Sequence, residues 1–172
     1  AEYGPHRVAV SVDHLDVASW NEFSSAMTDM QLLAMNAGAD PRSTYQQQMA
    51  VMQRFNEAVR GLAANGFSVG VRELSLATPE GEIQGSLNVS HPELSEDERA
   101  NMLMVMQRLV GSVDVTVPLA LAEQYPAVRM QLSPLIKQGL LVRDGDELVM
   151  KGQMEDLVLD INGVQIPLPP LL

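Results

Sequence analysis

Met102, Met104 and Met106 are the residues best suited to ligate a soft metal, because thioethers bind Cu(I). They stand at alternate positions in a chain with 11 methionines and no cysteine. On a helix, at ~100° per residue, Met102 and Met106 share a face while Met104 lies about 200° round from Met102. Ser95 and Glu98 have the spacing of a capping box, which predicts a helix running from there to about Val110. The three sulfurs therefore do not converge, and the methionines read as adaptable core filler or as a plastic binding surface. His14 and Asp16 form a His-x-Asp pair that could hold one edge of a metal site, but His6 and His91 are distant in sequence. A metal centre needs three or four such ligands. Asp144, Asp146 and Glu147 crowd a tight turn without the twelve-residue loop of a calcium hand. Asn88-Val89-Ser90 matches a glycosylation sequon; in mid-strand it reads as coincidence. Serine, histidine and aspartate are present, but no Gly-x-Ser-x-Gly elbow presents a nucleophile. The expectation is no catalytic residue, no metal and no cofactor.

The elements that would position these residues follow from periodicity. Val8, Val10 and Val12 alternate with polar or small residues, as in a half-buried strand. Ser19 and Glu22 have capping-box spacing, and Trp20, Phe23, Met27, Met30 and Leu33 then recur at helical intervals. Asn36 to Pro41 breaks that helix. A second opens at Ser43 or Thr44 with the stripe Tyr45, Met49, Met52, Phe55, Val59 and Leu62, and Asn65-Gly66 closes it. The short link between the two helices favours an antiparallel pair.

A hairpin follows, with Phe67 to Ala77 and Glu82 to Ser90 flanking Thr78-Pro79-Glu80-Gly81. Ile83, Leu87 and Val89 alternate with Gln84, Ser86 and Asn88 in its second strand. In the first strand Val69 and Val71 are odd while Leu74 and Leu76 are even, so the phase slips at Arg72-Glu73. Keeping both pairs on one face requires an extra residue, which predicts a β-bulge between 71 and 74. Val113, Val115 and Val117 form a strand that Pro118 ends, and residues 119–138 read as helical with interruptions at Pro126 and Pro134. The fold class expected is α+β: one antiparallel sheet of about six to eight strands with helices packed on one face. Residues 1–172 read as a single domain without an internal composition break. Phe23, Met27, Met30, Met49, Met52, Phe55 and Leu62 are expected to be mostly buried against Leu87, Val89, Val113, Val115, Leu157, Leu159 and Ile161.

Composition narrows the partners. Asp and Glu number 22 against 11 Lys and Arg, for a net charge of −11. A nucleic-acid site needs several cations facing phosphates, so nucleic acid is excluded as a partner. Loose docking on anionic lipid is disfavoured for the same reason. The absence of cysteine removes disulfides and thiolate chemistry while leaving the compartment open.

The last stretch carries the clearest signature. Asp144-Gly145 and Asn162-Gly163 are two-residue hairpin signals, since each accepts positive φ at little cost. The segment Gly139-Leu-Leu-Val-Arg, with Asp156-Leu-Val-Leu-Asp-Ile-Asn-Gly163, resembles the C-terminal end of the YdgA-like family of bacterial envelope proteins. Two further parts fit: the Thr78-to-Glu82 hairpin entered through Leu74-Ser-Leu76, and the opening strand with His14-Leu15-Asp16 leading into a helix. The resemblance implies a periplasmic part of a protein anchored in the bacterial inner membrane, of unestablished biochemical role, with no catalytic residues to carry over. The chain starts on Ala-Glu-Tyr-Gly-Pro and enters a strand almost at once. The expectation is a C-terminal portion of a longer protein, its anchor lying outside this segment.

Three functions fit. The first is a non-enzymatic envelope domain with an interaction or structural role and an envelope protein or lipid as partner. The second is a lipid or small apolar ligand binder, and the third is a hydrolase whose site lies in a missing N-terminal half. A homodimer is also expected, through Val8–Val12, the first helix or the C-terminal segment, since an edge strand or apolar face invites self-association.

Overall fold

Alternating and helical periodicities separate cleanly along the chain, and the computed structural model, which describes residues 4–35 and 41–169 (the side chains of 41–44 apart), realises both. In chain order the first elements are β1 (Arg7–Asp13), α1 (Val17–Met35), α2 (Pro41–Asn65), β2 (Phe67–Thr78) and β3 (Gly81–His91). Then come α3 (Glu96–Ala100), α4 (Met102–Gln107), β4 (Val110–Pro118), α5 (Leu119–Gln124) and α6 (Pro126–Lys137). The closing strands are β5 (Val142–Asp144), β6 (Glu147–Glu155), β7 (Val158–Ile161) and β8 (Val164–Pro167). The class is α+β. Residues divide into two compact units, one of 1–13, 68–90 and 106–172, the other of 14–67 and 91–105.

The first unit is built on an eight-stranded sheet of order β1-β2-β3-β4-β6-β7-β8, with β5 also pairing β6. The pairings β1–β2, β3–β4, β4–β6, β5–β6, β6–β7 and β7–β8 are all antiparallel. Directly opposed residues share a face, so the register sorts the side chains. Leu87, Val113, Gly152, Ile161 and Val164 form one apolar row across five strands. Asn88, Ser112, Gln153, Asp160 and Gln165 form the adjacent row on the other face. Along these rows the sheet is apolar on one side and polar on the other, although buried Val149 lies on the polar side at the β5 end. On the apolar side Val117, Leu121, Ala122, Leu141 and Leu148 are buried together, and Ile83, Leu132, Leu135 and Met150 pack around them. This core holds α5 and α6 against the sheet. Leu87 departs from the expected burial and is 49% exposed.

The phase slip in β2 is resolved as expected. Ala9 pairs with Glu73 and Val10 with Val71, which leaves Arg72 as the extra residue. The bulge puts Val69, Val71 and Leu74 opposite Val12, Val10 and Val8 on a common face.

Closing hairpins depart from the expected turns in two places. The β5–β6 loop is Gly145-Asp146, between paired Asp144 and Glu147, rather than Asp144-Gly145. Gly145 has φ 60 at the first loop position, which is the type II′ pattern. Between β6 and β7 the loop is Asp156-Leu157, with φ of 49 and 59. That is a type I′ turn made without glycine, so Leu157 belongs to a turn and not to a core-facing strand. The third hairpin is the expected Asn162-Gly163 turn, φ 51 and 85.

The second unit centres on the α1–α2 pair. Arg54 of α2 reaches Asp29 at 2.8 Å and Glu22 at 3.1 Å on α1, while a Cβ on Gly61 would come within 2.3 Å of Ser19 Oγ. Rising numbers on one helix meet falling numbers on the other, so the pair is antiparallel. The N-cap of α1 is Asp16 rather than Ser19, because the Asp16 carboxylate accepts from the Ser19 N–H at 2.8 Å. α2 begins at Pro41, where a missing N–H costs nothing; the Ser43 and Thr44 side chains and the break at residues 36–40 lie outside the described residues.

Packing selected the small side chains of α2. Val51, Phe55, Ala58, Leu62 and Ala63 are buried, while Tyr45, Met49 and Met52 of the expected stripe are exposed. On α1 Ala26 is fully buried and Met27 is exposed. Alanine, valine and glycine let two helices approach closely, and Phe23 packs against Phe55 in a tilted pair with ring centroids 5.3 Å apart. The expected single helix from Ser95 is two: the Ser95–Glu98 box caps α3, and Asn101, in extended backbone, ends it. Asn101 Oδ1 then accepts from the Leu103 N–H at 3.0 Å and starts α4.

Candidate functional site

Residues singled out by their chemistry are placed as follows. Met102 is buried with Ala63, Leu94 and Val105 in the core of the second unit, and Met104 is exposed. The helical geometry keeps those two sulfurs apart. Asp16 serves as a helix cap, held below the usual aspartate range by hydrogen bonds from Ser19. His14 occupies positive φ just before it. Among the described residues no group of three or more His, Asp or Glu is placed to hold a metal.

His91 is the one buried histidine, 5% exposed, and it stacks on Phe67. Its Nδ1 lies 2.7 Å from the Pro92 carbonyl oxygen and its Nε2 2.8 Å from that of Val105. Carbonyl oxygens only accept, so the N–H of a neutral ring donates to one of the two, and the buried ring presents neither nitrogen to solvent. Its role is to tie the end of β3 to α4 within the second unit. The sequence could not show this, because the Val105 carbonyl is a backbone group 14 residues away.

Among the described residues, two surfaces remain that could engage a ligand. The first is the polar face of the sheet. Ser86 stands opposite Asp114, and Asp114 opposite Lys151, at the junction of two shallow hollows of about 350 and 540 Å³. At its β2–β3 end Glu82 accepts hydrogen bonds from the Ser75 hydroxyl and, at 2.9 Å, from Gln84 Nε2. Those bonds hold its carboxyl below the usual glutamate range. The hydroxyls, amides and paired charges can hydrogen-bond a polar ligand, and no aromatic residue lines either hollow. Alternation in β3 announced Gln84, Ser86 and Asn88; Asp114, Lys151 and Asp160 join them only through pairings across the sheet.

The second surface belongs to α1 and α2. Met27, Leu32, Met35, Tyr45, Met49 and Met52 are exposed, Met35 by 82% and Met49 by 56%. In an antiparallel pair, residues 27–35 lie level with 45–52, so these side chains gather in one half of the hairpin. A hollow of about 520 Å³ runs along α2 between Met49 and Arg60. Asn56 and Arg60 are among its lining residues, and Asn56 Oδ1 and Arg60 Nε are buried without a hydrogen-bond partner among the described residues. Methionine is flexible and polarisable, which suits a surface that must fit an irregular partner.

The fold class is α+β, with an antiparallel sheet in one unit and a methionine-rich helical hairpin in the other. The chain belongs to a family described as bacterial protein of unknown function (DUF945), which matches residues 1–169. No curated protein and no solved structure matches the chain. No helix among the described residues is long and apolar enough to cross a membrane.

Proposed function

We propose that this chain is a non-catalytic interaction domain of the bacterial envelope, YdgA-like, working on the periplasmic side of the inner membrane. It holds an apolar segment of another envelope protein through α1 and α2. The observation that carries the reading is the exposed cluster of Met27, Leu32, Met35, Met49 and Met52. Large apolar side chains exposed at one level of two paired helices fit an interaction surface. The net charge of −11 favours a protein partner over anionic lipid. The compartment rests on the resemblance of the terminal hairpins and fits a bacterial family.

A second reading has its own observation. The hollow along α2, with Met49 and Met52 as apolar lining and two unpartnered polar atoms, has the size and chemistry of a small-ligand site. Native mass spectrometry of the protein purified from its own membrane separates the two. A co-purifying protein that is lost with Met49→Glu supports the interaction domain. A bound small molecule supports the second reading, and an unaccompanied chain contradicts both.

A further inference from the structure

β1 is one outer edge of the sheet, with β2 on its inner side. Its backbone groups on the other side face no strand among the described residues. The opposite edge, β8, is four residues long and ends in Pro167, two devices that discourage edge pairing. β1 has neither device. It is seven residues long, contains no proline or lysine, and the bulge beside it sits in β2, leaving β1 regular. Val8, Val10 and Val12 are 53–62% exposed on one face.

The sequence of β1 is complementary to itself when reversed. Antiparallel pairing about Val10 sets Val8 against Val12, Ala9 against Ser11 and Arg7 against Asp13. All six valines then meet valines, the small residues meet small residues, and an opposite-charge pair closes each end. Centring the pair on Val8 or on Val12 matches only the central valine and leaves two valines and both charges of each strand without their match. A slip by one residue turns the valines to opposite faces. Only the Val10 register satisfies every position.

We propose that two copies of this chain join through β1, antiparallel about Val10, into one continuous sheet. The interface is isologous, as two-fold symmetry requires. The proposal rests on β1 alone and is independent of the reading of α1 and α2. Seven residues of edge make a small contact beside the ~1,600 Å² of a standard interface, so the association is reversible and concentration-dependent.

The chain has no cysteine, so single cysteines report the register. Under mild oxidation Val10→Cys links two copies, because the paired positions are neighbours across the axis. Val8→Cys alone and Val12→Cys alone do not, their like positions lying roughly 13 Å apart along the strands. An equal mixture of those two variants does link. In sedimentation Arg7→Asp weakens the dimer about tenfold, since like charges then oppose at both ends, and adding Asp13→Arg restores it. Circular dichroism shows each variant folded. A wild-type chain that stays monomeric across a wide concentration range overturns the proposal. So does linkage by Val8→Cys as ready as by Val10→Cys, or a charge swap that fails to restore association.

Discussion

The Asn162 side chain accepts a hydrogen bond from the Lys151 N–H at 3.1 Å, and the Asn162 N–H donates to the Lys151 carbonyl at 2.8 Å. The same side-chain amide donates to the carbonyls of Val149 and Leu140, each at 3.0 Å. β5 covers β6 from Glu147 to Val149 and β7 covers it from Gly152 to Glu155. Asn162 fills the gap between them on the edge of β6. One residue of a turn thereby joins two hairpins to a common strand. Asn162→Asp keeps the acceptor and the turn conformation but removes both donors. It should destabilise the chain by about 1–3 kcal/mol in urea melts. A change below about 0.5 kcal/mol would mean that water replaces the amide without loss.

Leu157 holds φ 59 in the turn between β6 and β7, a conformation that costs a non-glycine residue roughly 1–2 kcal/mol. Glycine there would make the Asp-Gly pair that type I′ turns prefer. Leu157→Gly should raise stability by about 0.5–1 kcal/mol once the lost partial burial is set against the relieved strain. A lower melting temperature would show that the leucine side chain contributes more than its backbone costs.

Phe55 is 7% exposed and packs against Phe23 in a tilted ring pair. Phe55→Ala should cost about 3–5 kcal/mol, the usual range for a buried aromatic. A loss near 1 kcal/mol would place the α1–α2 contact elsewhere along the helices.

Much of this architecture was legible before the structure. The parity change between Val71 and Leu74 located the bulge between those residues, because period-two alternation must be broken to keep both on one face, and the register then singles out Arg72. Ser95 with Glu98 announced a cap whose chemistry is local. What failed has a common cause. Met49 and Met52 were expected in the core as large apolar residues on a helical stripe, but close helix approach rewards Ala58 and Gly61 instead. The turn at Asp156-Leu157 carries no turn signal, since tertiary pairing alone forces a leucine into positive φ. Polar rows through Asp114 and Lys151 depend on register between strands far apart in the chain. The two units stayed hidden for a similar reason: one is composed of segments inserted between strands of the other, so no composition shift marks it.

Acidification should reveal the two carboxyls held low by hydrogen bonds. Asp16 is held low by Ser19, and Glu82 by Ser75 and Gln84. A folded-state value below the unfolded one means the contribution is fully present above the ordinary carboxylate range. It is lost as pH falls through the depressed value. Stability of the wild type should therefore drop between those limits, and Asp16→Asn with Glu82→Gln should flatten the drop. An unchanged slope in the double variant would assign acid sensitivity to other carboxylates.

The claim that α1 and α2 hold an envelope protein is tested most directly by photo-crosslinking in living cells. A benzophenone amino acid placed at Met49, and separately at Met35, should give an adduct with one discrete protein. The same probe at Glu155, exposed on the first unit, should give none. Equal adducts from all three positions, or none from Met35 and Met49 in a folded, exported chain, would contradict the account.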